Sequence, residues 1–532
     1  LINKTKSGIL YGIGGIPIDI EVDISRGMPI FSIVGLAGTE VKESKERVKS
    51  AVINSGYVFP LNRIVVNLSP ADLKKDGSYL DLGICIGILS EYLNKKNNDI
   101  ENSVFLGELS LDGNLRSMEG IFSIVLSMCE KKIKRVYIPA DNYLECSEID
   151  SIEIVPVKSV RDCVDIINMS DFKKKDFIKK RKDEILVKNR KQFFVNLNHY
   201  KNLEKNKENE INIDFEEIKG NKVTKRCAEI SVAGGHNMLM IGPPGTGKTM
   251  IAKAMKGILP KPNRDDSIVI TRIMSSAGLN RSSIGLVKNR PFRQPHHSAT
   301  KISIIGGGAK AMLGEITLAH KGILFFDELP EFDRNTIEAL RQPLEDGCIN
   351  ISRLNYNITY PSDFIFIASM NPCSCGFYNS SKKCICRQSE IDKYRGKISG
   401  PILDRIDLFS EVSEIDYEDI SSKKEEEDSI TIKNRIEVAR KIQLDRFRST
   451  NIDLNSQMST EQAIRYCELT GKAEKTIQMI YRKYGLNNRS YIKILKVSRT
   501  IADLRNSKDV DEKDIMEAFS YRRAYYKYFS RG

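Results

Sequence analysis

The residues best suited to chemistry lie in one short run. Gly242-Pro243-Pro244-Gly245-Thr246-Gly247-Lys248-Thr249 fits G-x-x-x-x-G-K-[ST] at every fixed position. Glycines let backbone N–H groups close around phosphate oxygens, where a Cβ would intrude. Lys248 would reach the β- and γ-phosphates, and the Thr249 hydroxyl would sit on Mg²⁺. A second acidic element follows 78 residues after Thr249, where GILFF runs into Asp327-Glu328. Asp327 would complete the Mg²⁺ shell, and Glu328 would orient and polarise an attacking water. The chemistry indicated is Mg²⁺-dependent hydrolysis of a nucleoside triphosphate.

A third cluster is built of sulfur. Cys373, Cys375, Cys384 and Cys386 fall within 14 residues (373–386) and are four of eleven cysteines. Two close pairs on a short loop suit a tetrahedral structural Zn²⁺ site, although C-x-C is tighter than the usual spacing. Free reduced thiols or a redox pair are the alternatives.

These residues need a scaffold. Met238 to Ile241 reads as a strand feeding the glycine loop. A helix should follow, with Ile251, Ala254, Met255 and Ile258 on one face. GILFF (322–326) and FIFIASMNP (364–372) read as further buried strands, whose C-terminal ends would carry the chemistry. GCINISRLNYNITYP (347–361) alternates as a hairpin does. Residues 430–532 are helical, with a capping box at Ser459–Gln462 and a stop at Gly485. Residues 1–170 alternate strand and helix: strands at 17–24, 31–36 and 63–70, a helix at 39–54, a buried helix at 81–89, and a turn at Asp112-Gly113.

The composition sets bounds. At 532 residues and 41% hydrophobic content there is room for about three domains with cores. No apolar stretch approaches the ~18 residues of a membrane span. Cysteines without a signal-peptide layout suggest a reducing, cytoplasmic setting. The chain begins at Leu1, so an initiator end is expected to be missing or non-standard. The net charge is +13, of which +8 falls in residues 173–209 (13 Lys and Arg against 5 Asp and Glu). The stretch 171–212 therefore reads as a basic linker with a short helix, or as a polyanion-binding arm.

The order of these motifs resembles that of the ComM/YifB family of magnesium-chelatase-like AAA+ ATPases. The resemblance rests on NLSPADLKKDGSYLDL (67–82), FLGELSLDGNLRSMEGI (105–121), the phosphate loop and YRGKISGPILDRIDLF (394–409). It implies an α/β fold: a P-loop AAA+ core (213–429) with a helical lid (430–532), preceded by a Lon-protease-like, ribosomal S5 domain 2-like α/β domain (1–170). Where a Lon peptidase carries its Ser–Lys pair this chain has Tyr79 and Phe122, with Ser78, Lys74 and Lys75 nearby. Neither Tyr nor Phe can do that job, so peptidase activity is not expected.

Further roles follow from the same resemblance. Asn371 matches sensor 1, where an amide can bond γ-phosphate and water. Arg405 matches an arginine finger acting in trans, or pairs within the chain with Asp404 or Asp407. Arg499 matches the sensor 2 arginine that contacts nucleotide, or is a solvated helix arginine. Residues 272–320 match an insertion facing a central channel, where Arg290 and Arg293 beside Phe292 would contact phosphates and stack on bases. His296-His297 on a strand would point to opposite faces, which favours a structural role over a metal. Arg353 and Tyr356 near the hairpin tip are candidate substrate contacts, or a solvated tip. The resemblance implies an ATP- and Mg²⁺-dependent homo-oligomer, by family a hexamer. It would be a DNA helicase on single-stranded or branched DNA, promoting branch migration in natural transformation. Alternatives are a metal-insertase motor, which would not need residues 1–170, or a protein unfoldase.

Overall fold

The computed structural model describes residues 2–93, 100, 102–203, 213–280, 284–308, 311–353, 356–414 and 426–529. The chain divides into two units. The first contains Leu1–Asn206, Arg264–Lys288 and Ile351–Tyr360; the second contains Lys207–Asn263, Asn289–Asn350 and Pro361–Gly532.

The first unit is built on a mixed seven-stranded sheet. Its order is Ile30–Val34, Arg63–Ser69, Gly14–Ser25, Ile2–Tyr11, Ser103–Phe105, Arg135–Pro139, Glu153–Val157. Strict alternation in PIDIEVDI puts Ile18, Ile20 and Val22 on one buried face. Helix Thr39–Asn54 buries Val41, Ser44, Val48, Ala51 and Val52, as its spacing requires. Helix Asp81–Ile88 is buried all round, so it shows no polar stripe. Its one charge, Asp81, is held by Ser44 and, at 2.7 Å, by Arg47. Gly113, at φ 87°, turns the chain between the paired Glu108–Leu109 and Leu115–Arg116.

The basic stretch departs from the linker expectation. Helix Asp171–Leu203 is continuous, and Ile178, Ile185 and Leu186 anchor its first half on this unit. Seven-residue spacing from Ile178 to Ile185 returns to the same helix face, leaving Lys173, Lys175, Lys179 and Lys180 outside while Lys174 is buried. Residues 204–212 lie outside the described residues. Helix Arg264–Ser276 also packs here: Gly120 N–H donates to Ser275 O at 2.9 Å, and Ser275 Oγ to the buried Glu145 at 2.7 Å. No Ser–Lys pair forms around the Lon-like stretch among the described residues. Ser78 bonds Glu108, Lys75 Nζ is spent on the carbonyls of Gly35 and Pro70, and Lys74 pairs with Asp76.

The second unit carries a five-stranded, wholly parallel sheet. Its order is Phe292–Arg293, Ile323–Phe326, Ile365–Met370, Met238–Ile241, Leu408–Glu411. The middle three strands are buried along their whole length, which is why they read as apolar runs, interrupted only by Ser369. Helices Lys222–Gly234 and Lys248–Ile258 pack against one another in this unit's core. Five helices close the chain: Ser429–Arg446, Thr460–Tyr466, Gly471–Tyr484, Asn488–Leu504 and Glu512–Phe529. The Ser459–Gln462 capping box and the left-handed Gly485 stop both form. Among the described residues no helix is long and apolar enough to cross a membrane.

Candidate nucleotide site

Three parallel strands end side by side, and each delivers one residue to the same place. Met238–Ile241 leads into Gly242, Ile323–Phe326 into Asp327, and Ile365–Met370 into Asn371. Gly242 cannot carry a side chain, because a Cβ there would lie 2.2 Å from Val412 O. Gly245 and Gly247 sit at φ 80° and 86°, where L residues are strained.

Thr249 Oγ1 donates to Asp327 Oδ2 at 2.8 Å. Ser369 Oγ donates to the other carboxylate oxygen at 2.5 Å and accepts from Glu328 N–H at 3.1 Å. Lys248 Nζ folds back onto the carbonyls of Gly242 and Pro243, both at 2.7 Å, and onto Asn371 Oδ1 at 3.2 Å. Burial draws the Lys248 ammonium down to about 8, against the opposing pull of Asp327 and Glu328. Glu328 is exposed and held in the left-handed region at φ 53° and ψ 51°. Strain of that kind persists where the surroundings fix it, commonly beside reacting groups. Hard oxygens from Thr249 and Asp327, side by side, form a donor set that fits Mg²⁺.

Beside the loop, Asn221 reaches toward Thr246 O at 3.5 Å and accepts from Ser413 N–H at 3.1 Å. A cleft of about 760 Å³ opens there, between Gly220, Thr224, Phe409 and Tyr521.

Arg405 lies in a separate cleft of about 860 Å³, whose lining shares no residue with the phosphate loop. Its Nη1 donates to Pro401 O at 2.6 Å, Nη2 meets Glu345, and the buried Nε has no partner. The alternative pairing with Asp404 or Asp407 does not form. Asp404 faces Arg489 at 3.7 Å, and Asp407 meets Lys493 at 3.0 Å and His236 Nδ1 at 3.3 Å. Burial would raise the Asp407 carboxyl, but Lys493 and His236 outweigh it and hold it well below the usual range. The fully buried His236 also meets Thr500 Oγ1 at 2.8 Å, and Asn237 donates to Arg405 O at 2.9 Å. The residues just before the phosphate-loop strand thus hold the Arg405 loop and the C-terminal helices together.

Several expected contacts are corrected. Arg499 is 1% exposed and donates to Asp503 at 3.1 Å, to Ser507 O at 2.5 Å and to Lys508 O. It is interior, neither solvated nor open to a nucleotide. Arg489, at the first turn of the same helix, is by contrast 69% exposed. Arg290 and Arg293 are likewise used inside the fold. Arg290 bonds the carbonyls of Pro260 and Lys321, and Arg293 makes a two-pronged pair with Glu315 at 2.6 and 2.7 Å. Phe292 and Arg293 form the sheet's edge strand, with Phe292 against Phe325. The exposed residues of that insertion instead include Lys301, Ile302 and Met312. His296 and His297 lie outside any strand, and their rings sit 4.1 Å apart rather than on opposite faces. The side chains of Arg353 and Tyr356 lie outside the described residues.

The four sulfurs of Cys373, Cys375, Cys384 and Cys386 lie within 4.8 Å of one another. Burial pushes the Cys373 thiol up to about 12, while the Phe377 N–H draws Cys375 down to about 6. Such a thiol is poised to ligate a soft ion. An S₄ set this close fits Zn²⁺.

The strand order, the loop and the acidic strand end define a phosphate-loop nucleotide-binding protein of AAA+-like architecture. Sequence comparison agrees. Residues 214–420 match the family described as magnesium chelatase, subunit ChlI, residues 20–142 match subunit ChlI of Mg-chelatase, and residues 426–522 match its C-terminal family. The chain is 36% identical to YifB of Escherichia coli over 96% of its length and 95% of that protein. It is also 36% identical to competence protein ComM of Haemophilus influenzae, over 95% and 94% respectively. An archaeal Lon protease of Methanocaldococcus jannaschii is 28% identical over 31% of this chain and 28% of its own. The chain belongs to the ComM/YifB family of magnesium-chelatase-like proteins.

Proposed function

We propose that this protein is a Mg²⁺-dependent ATPase that assembles as a ring, six-membered by family resemblance, and drives DNA branch migration. The observation that carries the reading is the convergence of Lys248, Thr249, Asp327, Glu328 and Asn371 on one loop, with Arg405 in another cleft. The phosphates lie in the loop and the base takes the cleft beside Asn221. Thr249 and Asp327 hold Mg²⁺, which when bound neutralises charge across the β- and γ-phosphates. Lys248 leaves its carbonyl partners for the phosphates. Glu328 takes the proton of the attacking water, and Asn371 orients that water. Arg405, with Arg489 beside it, reaches the γ-phosphate of an adjacent copy and stabilises the charge that grows there.

A DNA substrate is supported by the name of the competence relative and by the exposed insertion residues Lys301, Ile302 and Met312. Zn²⁺ sits on Cys373, Cys375, Cys384 and Cys386 as a structural ion. The first 170 residues act as an assembly or DNA-binding platform without peptidase activity. ATP turnover measured with single-stranded DNA, a four-way junction and an unfolded protein tests this. Stimulation by DNA is expected; turnover indifferent to every DNA would overturn the DNA assignment.

A further inference from the structure

We propose that the metal on the four-cysteine loop fixes the position of Asn371 and the back of the phosphate loop, so that its occupancy governs ATP turnover more than ATP binding. The proposal rests on the Zn²⁺ assignment above.

The chain path makes the connection short. Strand Ile365–Met370 ends, Asn371 follows, and Cys373 is two residues on and fully buried. Gly376, at φ 86°, then passes against the phosphate loop. A Cβ built there would lie 2.7 Å from Pro244 Cδ and 3.9 Å from Asn371 Cγ. Pro372 O accepts from Arg395 Nε at 3.0 Å, and the Arg395 guanidinium lies over Tyr378 and Tyr528 at 4.7 and 5.0 Å. The sensor segment is therefore gripped by Arg395, by Pro244 and by the sulfur cluster.

Only the sulfur cluster is conditional. Beyond Cys373 the loop has little apolar interior of its own, since Ile385 is 82% exposed and residues 379–390 include no buried side chain. A short loop with no buried side chain of its own gains much of its order from a bound ion. Asn371 leads straight from its strand into the cysteine loop, whereas Lys248 and Thr249 open a helix and Asp327 follows a different buried strand, so these keep their places without the ion. Removing the metal should therefore free Asn371 and relax Pro244 while the phosphate and Mg²⁺ groups stay in position.

The test uses the full chain purified under reducing conditions. Zinc content, binding of a fluorescent ATP analogue, turnover and amide exchange over residues 371–378 are compared for three proteins. These are wild type, Cys384→Ser/Cys386→Ser and Gly376→Ala. Wild type should hold about one zinc per chain and the double variant none. In the double variant the nucleotide Kd should move less than about threefold while kcat falls at least about tenfold, with faster exchange at 371–378. Gly376→Ala should keep its zinc and still lose turnover, which a metal needed only for folding would not cause. Native kcat in either variant would overturn the coupling. A wild-type protein that turns over normally without zinc would instead overturn the metal assignment, leaving the ATPase reading untouched.

Discussion

Thr249 Oγ1 and Asp327 Oδ2 are 78 residues apart in sequence and 2.8 Å apart in the fold. The contact is the place where a magnesium nucleotide would enter, since the hydroxyl and the carboxylate currently satisfy each other. Glu328 stands next to it, exposed and in a left-handed conformation. Glu328→Gln should bind ATP normally and lose turnover by about 10²–10⁴-fold, the range of a lost general base. Equilibrium nucleotide binding with steady-state kinetics checks this, and a native kcat would remove the assignment.

Lys248 gives a pH dependence with a defined sign. Burial lowers its ammonium to about 8 while it rests on carbonyl oxygens. A bound triphosphate favours the charged form and raises it again. Below pH 8 Lys248 is charged with or without nucleotide. Above pH 8 binding must take up a proton, so affinity falls by up to about tenfold per pH unit until the bound form also titrates. Calorimetry at pH 9 in two buffers of different ionisation enthalpy should show that proton uptake. Its absence would mean that Lys248 does not reach the phosphates.

Arg489 and Arg499 should behave oppositely. Arg499 shares the fully buried Asp503 with Arg446 and also bonds two backbone carbonyls, so Arg499→Ala should lower stability by about 1.5–3 kcal/mol. Arg489 is 69% exposed, so Arg489→Ala should leave the melting temperature nearly unchanged and reduce turnover in the assembled protein. Thermal melts with turnover assays separate the two. A melting temperature unmoved by Arg499→Ala would contradict its interior role.

The insertion should affect DNA alone. Lys301→Ala with Met312→Ala should remove DNA stimulation while basal turnover holds. Weaker DNA binding at low salt and a shallower salt dependence should accompany it. Unchanged DNA stimulation would place the contact elsewhere.

Much of the site was legible because its residues follow local rules. The phosphate loop, the acidic strand end and the four cysteines are each contiguous, and contiguous patterns carry their own geometry. What failed depended on distant partners. Nothing near Arg293 announces Glu315, 22 residues on, which consumes it. Arg499 did carry a warning, since Asp503 lies one helical turn later and the pair closes within the helix. Arg489 follows Asn487, which caps the same helix through Ser490 N–H, and a basic side chain at an exposed helix start was the signal available. Ser369 could have been found as a polar residue in a buried strand, two places before Asn371 and so on its side. The helix at 171–203 was obscured by its lysines, because three apolar anchors suffice for one face when the other is solvated.

The central claim is that each ATP is completed by a neighbouring copy, and turnover of mixed subunits tests it most directly. Glu328→Gln lacks the water-activating carboxylate but supplies Arg405, while Arg405→Ala lacks the arginine but keeps a complete phosphate site. Each alone should be nearly inactive. An equal mixture should recover about a quarter of wild-type turnover per site, because about one random interface in four pairs an intact Glu328 with an intact Arg405. No recovery at any mixing ratio would contradict the account.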